Sequence, residues 1–266
     1  MSLTAKLALS PLLVAQGLHV RRRTPRLPEP PGPREGSVGR GAALKLLVAG
    51  DSSAAGVGVA HQSRALAAPL AQYLAEEARL RVHWRLVARS GATTAQTLAL
   101  LQQAGHVEAD VAVVVSGVND VVEQVPSRRA VLAREALANW LRNRAGVRHV
   151  VFAPLPPVHQ FPALPHPLRW VAGADARRHD RALADWAATR GDVSHADFGL
   201  LFNRGVMAED GFHPGEPAYR QCASLLAQHV AALLRDEAHE PAGPPRGRNP
   251  NAAAAPSDPS DRGDRR

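Results

Sequence analysis

The chain has 266 residues, 45% of them hydrophobic but 4% aromatic, with one cysteine and a formal net charge of +8. Its length and apolar content suit one α/β domain with tails, the few aromatics leave little for base-stacking platforms, and the lone Cys222 excludes an intrachain disulfide and a cysteine-rich metal site. Residues 1–40 hold seven basic and two acidic side chains against 20 and 18 in residues 41–239, so the body is close to neutral, nucleic acid is not expected as a partner, and an anionic membrane surface suits the arm alone.

In chain order, the apolar stretch Leu7 to Val20 is interrupted by Pro11, Gln16 and Gly17 and followed by Arg21-Arg22-Arg23. It is too short for a bilayer span, which needs about 20 apolar residues. A secretory signal places its positive charge before the apolar run and a small-residue cleavage site after it; here Lys6 alone precedes the run, so no clear signal peptide is read and a cytoplasmic protein is expected. Two readings of the arm fit equally: an interfacial helix giving peripheral membrane contact, or a helix docked on its own domain. Residues 24–40, rich in Pro, Gly and Arg, read as an extended linker. These shifts divide the chain into an arm and linker (1–40), a domain (41–238) and a disordered tail (239–266).

The domain opens with Leu44-Lys45-Leu46-Leu47-Val48-Ala49-Gly50, an apolar run that suits a strand covered on both faces, and breaks into Asp51-Ser52-Ser53. A helix is expected over 62–79 and a strand over 83–88, ending in Arg89-Ser90-Gly91-Ala92-Thr93-Thr94, where a threonine caps the next helix. Asp110 to Ser116 is the clearest buried strand and ends in Gly117-Val118-Asn119-Asp120. A helix over 127–144, a strand over 148–153, a proline-stiffened loop over 154–167, a helix over 168–190, a strand over 192–197 and a last helix over about 216–237 complete the domain. Alternating strands and helices joined at crossover length argue for a parallel sheet with helices on both faces. The loop's Leu155, Phe161 and Leu164 are candidate walls of a substrate pocket, while His159 and His166 lack metal-pair spacing and read as solvated. Cys222 reads as a small buried apolar residue of the last helix.

Ester hydrolysis needs an activated hydroxyl, a base, a group that orients the base, and donors for the oxyanion. The chain offers Ser52 as nucleophile, His213 as base and Asp210, three residues earlier, as the orienting acid. The N–H groups of Ser52 and Gly91 and the amide of Asn119 are the candidate oxyanion donors. Asp51 and Asp120 are read as turn and cap residues. No metal ligands are assigned.

Four blocks carry these residues in order: Gly50-Asp51-Ser52-Ser53, Ser90-Gly91-Ala92-Thr93, Gly117-Val118-Asn119-Asp120 and Asp210-Gly211-Phe212-His213-Pro214. They resemble those of the SGNH (GDSL-type) hydrolase superfamily over about residues 44–236, with Ser53 where leucine is common in that family. The resemblance implies a flavodoxin-like three-layer α/β/α sandwich, hydrolysis of carboxylic esters through an acyl-enzyme, and no metal or organic cofactor. The expected substrate is a small-molecule ester or a lipid-like one, as for an esterase or lysophospholipase. The alternatives are acyl or acetyl transfer, or carbohydrate acetyl-ester hydrolysis, at the same site; a catalytically silent binding protein on this fold is weighed against by the complete residue set.

Overall fold

The computed structural model describes residues 3–199 and 203–239. Among these, six strands form one sheet: β1 (Glu35–Val38), β2 (Ala43–Gly50), β3 (Arg81–Ala88), β4 (Val111–Val115), β5 (His149–Phe152) and β6 (Val193–His195). Their order is β1-β3-β2-β4-β5-β6, with β1 antiparallel to β3 and every other pair parallel. The helices are α1 (Leu3–Arg23), α2 (Ser52–Ala55), α3 (Ala67–Ala78), α4 (Thr94–Gln103), α5 (Val118–Val122), α6 (Ser127–Ala145), α7 (Leu168–Ala187) and α8 (Glu216–His239).

The near-continuous apolar runs of β2 and β4 follow from burial on both sides. Alternate side chains face opposite layers. Leu47, Ala49, Ala112 and Val114 pack with Leu101 of α4, Leu137 and Leu141 of α6 and Leu183 of α7. Leu46, Val48, Val111 and Val113 pack with Leu70 and Leu74 of α3 and Leu226 and Val230 of α8. The fold is therefore a three-layer α/β/α sandwich. From β2 the chain passes to β3 on one side and then to β4 on the other. This reversal opens a crevice at the carboxyl end of β2, the place where doubly wound sheets hold ligands.

Two elements depart from the sequence expectations, and the arm takes one of its two readings. Residues 35–38, read as linker, form β1; its exposed, short edge position asks for no apolar alternation, so it left no pattern in the sequence. The helix expected over 62–79 splits into a 3-10 turn at Gln62–Arg64 and α3 from Ala67. Pro69 is tolerated in the first turn of a helix and not in its interior, which sets the later start. The arm folds as α1 and docks on α7: Gln16 donates to the His166 carbonyl at 2.7 Å and accepts from the Leu168 N–H at 3.1 Å. Its Leu12, Val14 and Leu18 remain exposed. Among the described residues no helix is long and apolar enough to cross a membrane. Of the tail expected to be disordered over 239–266, His239 ends α8 and the residues from 240 onward lie outside the described residues.

Candidate active site

The site grows from three turns at the carboxyl ends of β2, β3 and β4 and from the loop before α8. At Gly50 the backbone adopts φ +152°, and a Cβ there would lie 1.9 Å from the Val115 carbonyl oxygen. Glycine is required for β2 to turn this close to β4. Asp51 then caps α2, its Oδ1 accepting from the Ser53 N–H at 2.9 Å, which leaves Ser52 as the first helical residue. Burial drives the Asp51 carboxyl up to about 7.

The loop before α8 brings His213 to Ser52. Asp210 Oδ1 accepts from the N–H groups of Phe212 and His213, both at 2.9 Å, folding a tight turn through Gly211. This turn aims the imidazole outward. The Nδ1–H of His213 donates to Asp210 Oδ2 at 2.6 Å, and its Nε2 faces Ser52 Oγ at 2.9 Å. Burial pushes the Asp210 carboxyl up, but its bonds from His213 and Phe212 outweigh burial and hold it below the ordinary range. Asp210 is therefore a carboxylate at neutral pH, and the imidazole carries its proton on Nδ1 when neutral.

Asn119, in α5, lines the same cleft and donates from Nδ2 to the Ala92 carbonyl at 3.1 Å. One amide hydrogen is thereby used to bridge the turns after β3 and β4, and the second is left for a ligand. Asp120 accepts from Thr94 N–H at 3.2 Å and Thr94 Oγ1 at 2.5 Å. Gly91 sits on the outer turn after β3, exposed, with φ +79°.

Ser52, Asp210, His213 and Asn119 are thus brought together. Of the loop residues named as pocket candidates, Leu155 and Phe161 line the cleft, whereas Leu164 is buried in the core and does not. The proline-stiffened loop is folded against the core; its apolar side chains are not displayed to solvent. His159 and His166 are exposed.

Two groups escaped the sequence reading. The first is a further part of the cleft lining, made by Leu66, Phe198, Tyr219, Cys222 and Leu226. The 3 and 4 spacing of the last three marks one face of a helix, but what that face meets is not local information. Cys222 is half-buried, and burial raises its thiol to about 12, so it acts there as an apolar surface. The second is Arg134, fully buried behind Gly117, whose guanidinium nitrogens have no hydrogen-bond partner among the described residues. Its position in series with Ala130, Leu137 and Leu141 placed it on the inner face of α6 all along.

The model of the GDSL-like lipase/acylhydrolase family matches residues 48–221. The chain belongs to this family. It is 28% identical over 249 residues to the GDSL-like esterase Rv1075c of Mycobacterium tuberculosis, a match covering 84% of this chain and 77% of that protein. Among solved structures it is similar to TesA, with TM-score 0.54 and 24% identity over 71% of this chain and 99% of that one. It also resembles Est24, a carbohydrate acetylesterase from Sinorhizobium meliloti, with TM-score 0.55 and 17% identity over 71% and 99% of the two chains. The structural matches establish a shared fold. Membership of the GDSL-like family places the chain among hydrolases that act on esters.

Proposed function

We propose that the protein hydrolyses carboxylic esters through an acyl-enzyme on Ser52, with an apolar acyl group in the cleft. The observation that carries this reading is the unbroken line from Ser52 Oγ to His213 Nε2 at 2.9 Å and from His213 Nδ1 to Asp210 Oδ2 at 2.6 Å. As Oγ bonds to the acyl carbon, its proton passes to Nε2. Asp210, already ionised, stabilises the imidazolium without taking the proton. The N–H groups of Ser52 and Gly91 and the free amide hydrogen of Asn119 are assigned to the oxyanion. His213 then gives its proton to the departing alcohol. In the second half a water attacks the acyl carbon, His213 takes the water's proton, and collapse releases the acid and returns the proton to Ser52.

The substrate assignment rests on the cleft lining. Leu155, Phe161, Tyr219, Cys222 and Leu226 together line the cleft mostly with carbon, and buried apolar surface contributes about 25 cal/mol per Å². Esters with acyl chains longer than acetyl are therefore favoured. Hydrolysis of nitrophenyl esters from acetate to long chain, by wild type and by Ser52→Ala, tests both parts. Loss of about 10⁴-fold or more in kcat is expected for the variant, with a wild-type optimum beyond two carbons. Equal activity in both proteins would remove Ser52 from the mechanism. Absence of hydrolysis by the folded wild type would turn the reading toward acyl transfer or binding without catalysis.

A further inference from the structure

We infer that Glu29, in the segment between the arm and the domain, is a positioning residue for the oxyanion turn after β3. Its Oε1 accepts from the Ser90 N–H at 2.7 Å, one peptide away from the Gly91 N–H. The other oxygen pairs with Arg34 Nη1 at 2.9 Å, and Arg34 Nη2 donates to the carbonyl of Ala88, the last residue of β3, at 2.6 Å. The Leu86 N–H donates to the Arg34 carbonyl at 2.7 Å, which fixes Arg34 itself on the strand. Both sides of the turn are therefore held from one short external segment.

The same segment reaches the nucleophile. The Gln62 N–H donates to the Pro31 carbonyl at 2.9 Å, and its side-chain amide donates to the Pro30 carbonyl at 3.2 Å and to the carbonyl of Ala55, the end of α2, at 2.9 Å. Residues 29–34 thus tie the end of the Ser52 helix to the Gly91 turn. The turn needs such a clip. Nothing lies within 4 Å of where a Gly91 Cβ would be, and its neighbours Arg89 and Ser90 are exposed. A charge-assisted bond from a backbone N–H to a carboxylate is stronger than a neutral one, and Glu29 supplies it at the one point where packing does not.

The inference rests on the assignment of Gly91 as an oxyanion donor, and two measurements keep the two apart. The first is amide hydrogen exchange of the 89–94 segment in the full chain, which needs no substrate. Glu29→Ala should speed exchange there by about tenfold, with Glu29→Gln, which can still accept from Ser90, in between. The second is the kinetics of a nitrophenyl ester. Glu29→Ala should lower kcat about tenfold with KM little changed, because a misplaced donor weakens the transition state and not the ground state, and Glu29→Gln should recover most of the loss. Exchange at 89–94 equal to wild type would overturn the clip. Faster exchange with unchanged kcat would overturn its role in catalysis, and a loss tracking the melting temperature, with Glu76→Gln as surface control, would reduce Glu29 to a stabilising contact. An inactive wild type would count against the esterase reading while the exchange result still decides whether Glu29 holds the turn.

Discussion

The turns after β3 and β4 carry the assigned oxyanion donors Gly91 and Asn119, and the protein holds them by opposite means. The β4 turn is anchored from within. Asp120 is buried and takes two bonds from Thr94, Thr94 Oγ1 also meets Ser116 Oγ at 3.2 Å, and Arg134 fills the space behind Gly117. The β3 turn shares this anchor at its Thr94 end, but at Ser90 it is held from outside, by the half-exposed pair of Glu29 and Arg34. Besides these Thr94 bonds, Asn119 Nδ2 donates to the Ala92 carbonyl and joins the two turns nearer the site. Internal anchoring resists salt and pH but tolerates no change of volume; external anchoring is the reverse.

Removing the bond between the turns that lies nearest the site tests the comparison most severely. Asn119→Ala takes away the proposed oxyanion donor and the bridge to Ala92 together, and kcat should fall by about 10²- to 10³-fold, or about 3 to 4 kcal/mol. Little change in KM is expected. A loss under threefold would show that the transition state does not lean on this amide.

The buried carboxyl group of Asp51, in the turn after β2, gives the next largest effect, on stability. Burial raises Asp51 to about 7 from an ordinary value of 3.8. A carboxyl whose folded pKa is raised contributes fully below its unfolded value, and that contribution is lost as pH climbs through the folded one. Over pH 4 to 8 the loss is on the order of a few kcal/mol. Asp51→Asn still accepts from Ser53 but does not titrate. Its melting temperature should therefore gain steadily on that of wild type as pH rises across this window; a constant difference would mean that Asp51 is not titrating there.

One substitution made in both turns sharpens the contrast further. At Gly117 a Cβ would stand 2.8 Å from Arg134 Nη2 and 3.0 Å from Leu155 Cδ1, at φ +135°, whereas at Gly91 it would meet open space at φ +79°. Gly91→Ala should cost about 1 kcal/mol, the ordinary penalty of a left-handed residue. Gly117→Ala adds overpacking of about 1 to 3 kcal/mol. Equal shifts in melting temperature would show that Arg134 yields freely.

What was legible in the sequence follows the same division between local and distant causes. The strand 110–116 was plain because burial on both faces leaves a run of valines, while β1, exposed along most of its length, left no such mark. Asp210 and His213 are three residues apart, so their bond is a property of one turn. Ser52 and His213 are 161 residues apart, and their approach was inferred from the family's block order, not from spacing. Leu164 was misplaced because apolar residues among prolines look displayed, whereas the loop folds inward. Glu29 carried no signal at all: a lone acid among prolines acquires its role when β3 ends beside it.

The smallest effect belongs to that external anchor. Burial raises the Glu29 carboxyl, but the Ser90 N–H and Arg34 outweigh it and leave the group below its ordinary 4.5. With a lowered folded pKa the contribution is present above 4.5 and lost as pH falls beneath it, the opposite sign to Asp51. The pair is more than a quarter exposed on both sides, at 38% for Arg34 and 28% for Glu29, so solvent screening limits it to about 0.2 to 1 kcal/mol. Salt should erode even this, since the Debye length shrinks from about 10 Å at 0.1 M to about 3 Å at 1 M. Wild-type kcat near neutral pH should thus fall by about twofold over that range of salt, and Glu29→Gln, already without the charge, should show none of the decline. Parallel salt curves for the two proteins would place the anchor of the β3 turn in packing rather than charge, and would erase the difference between the two turns.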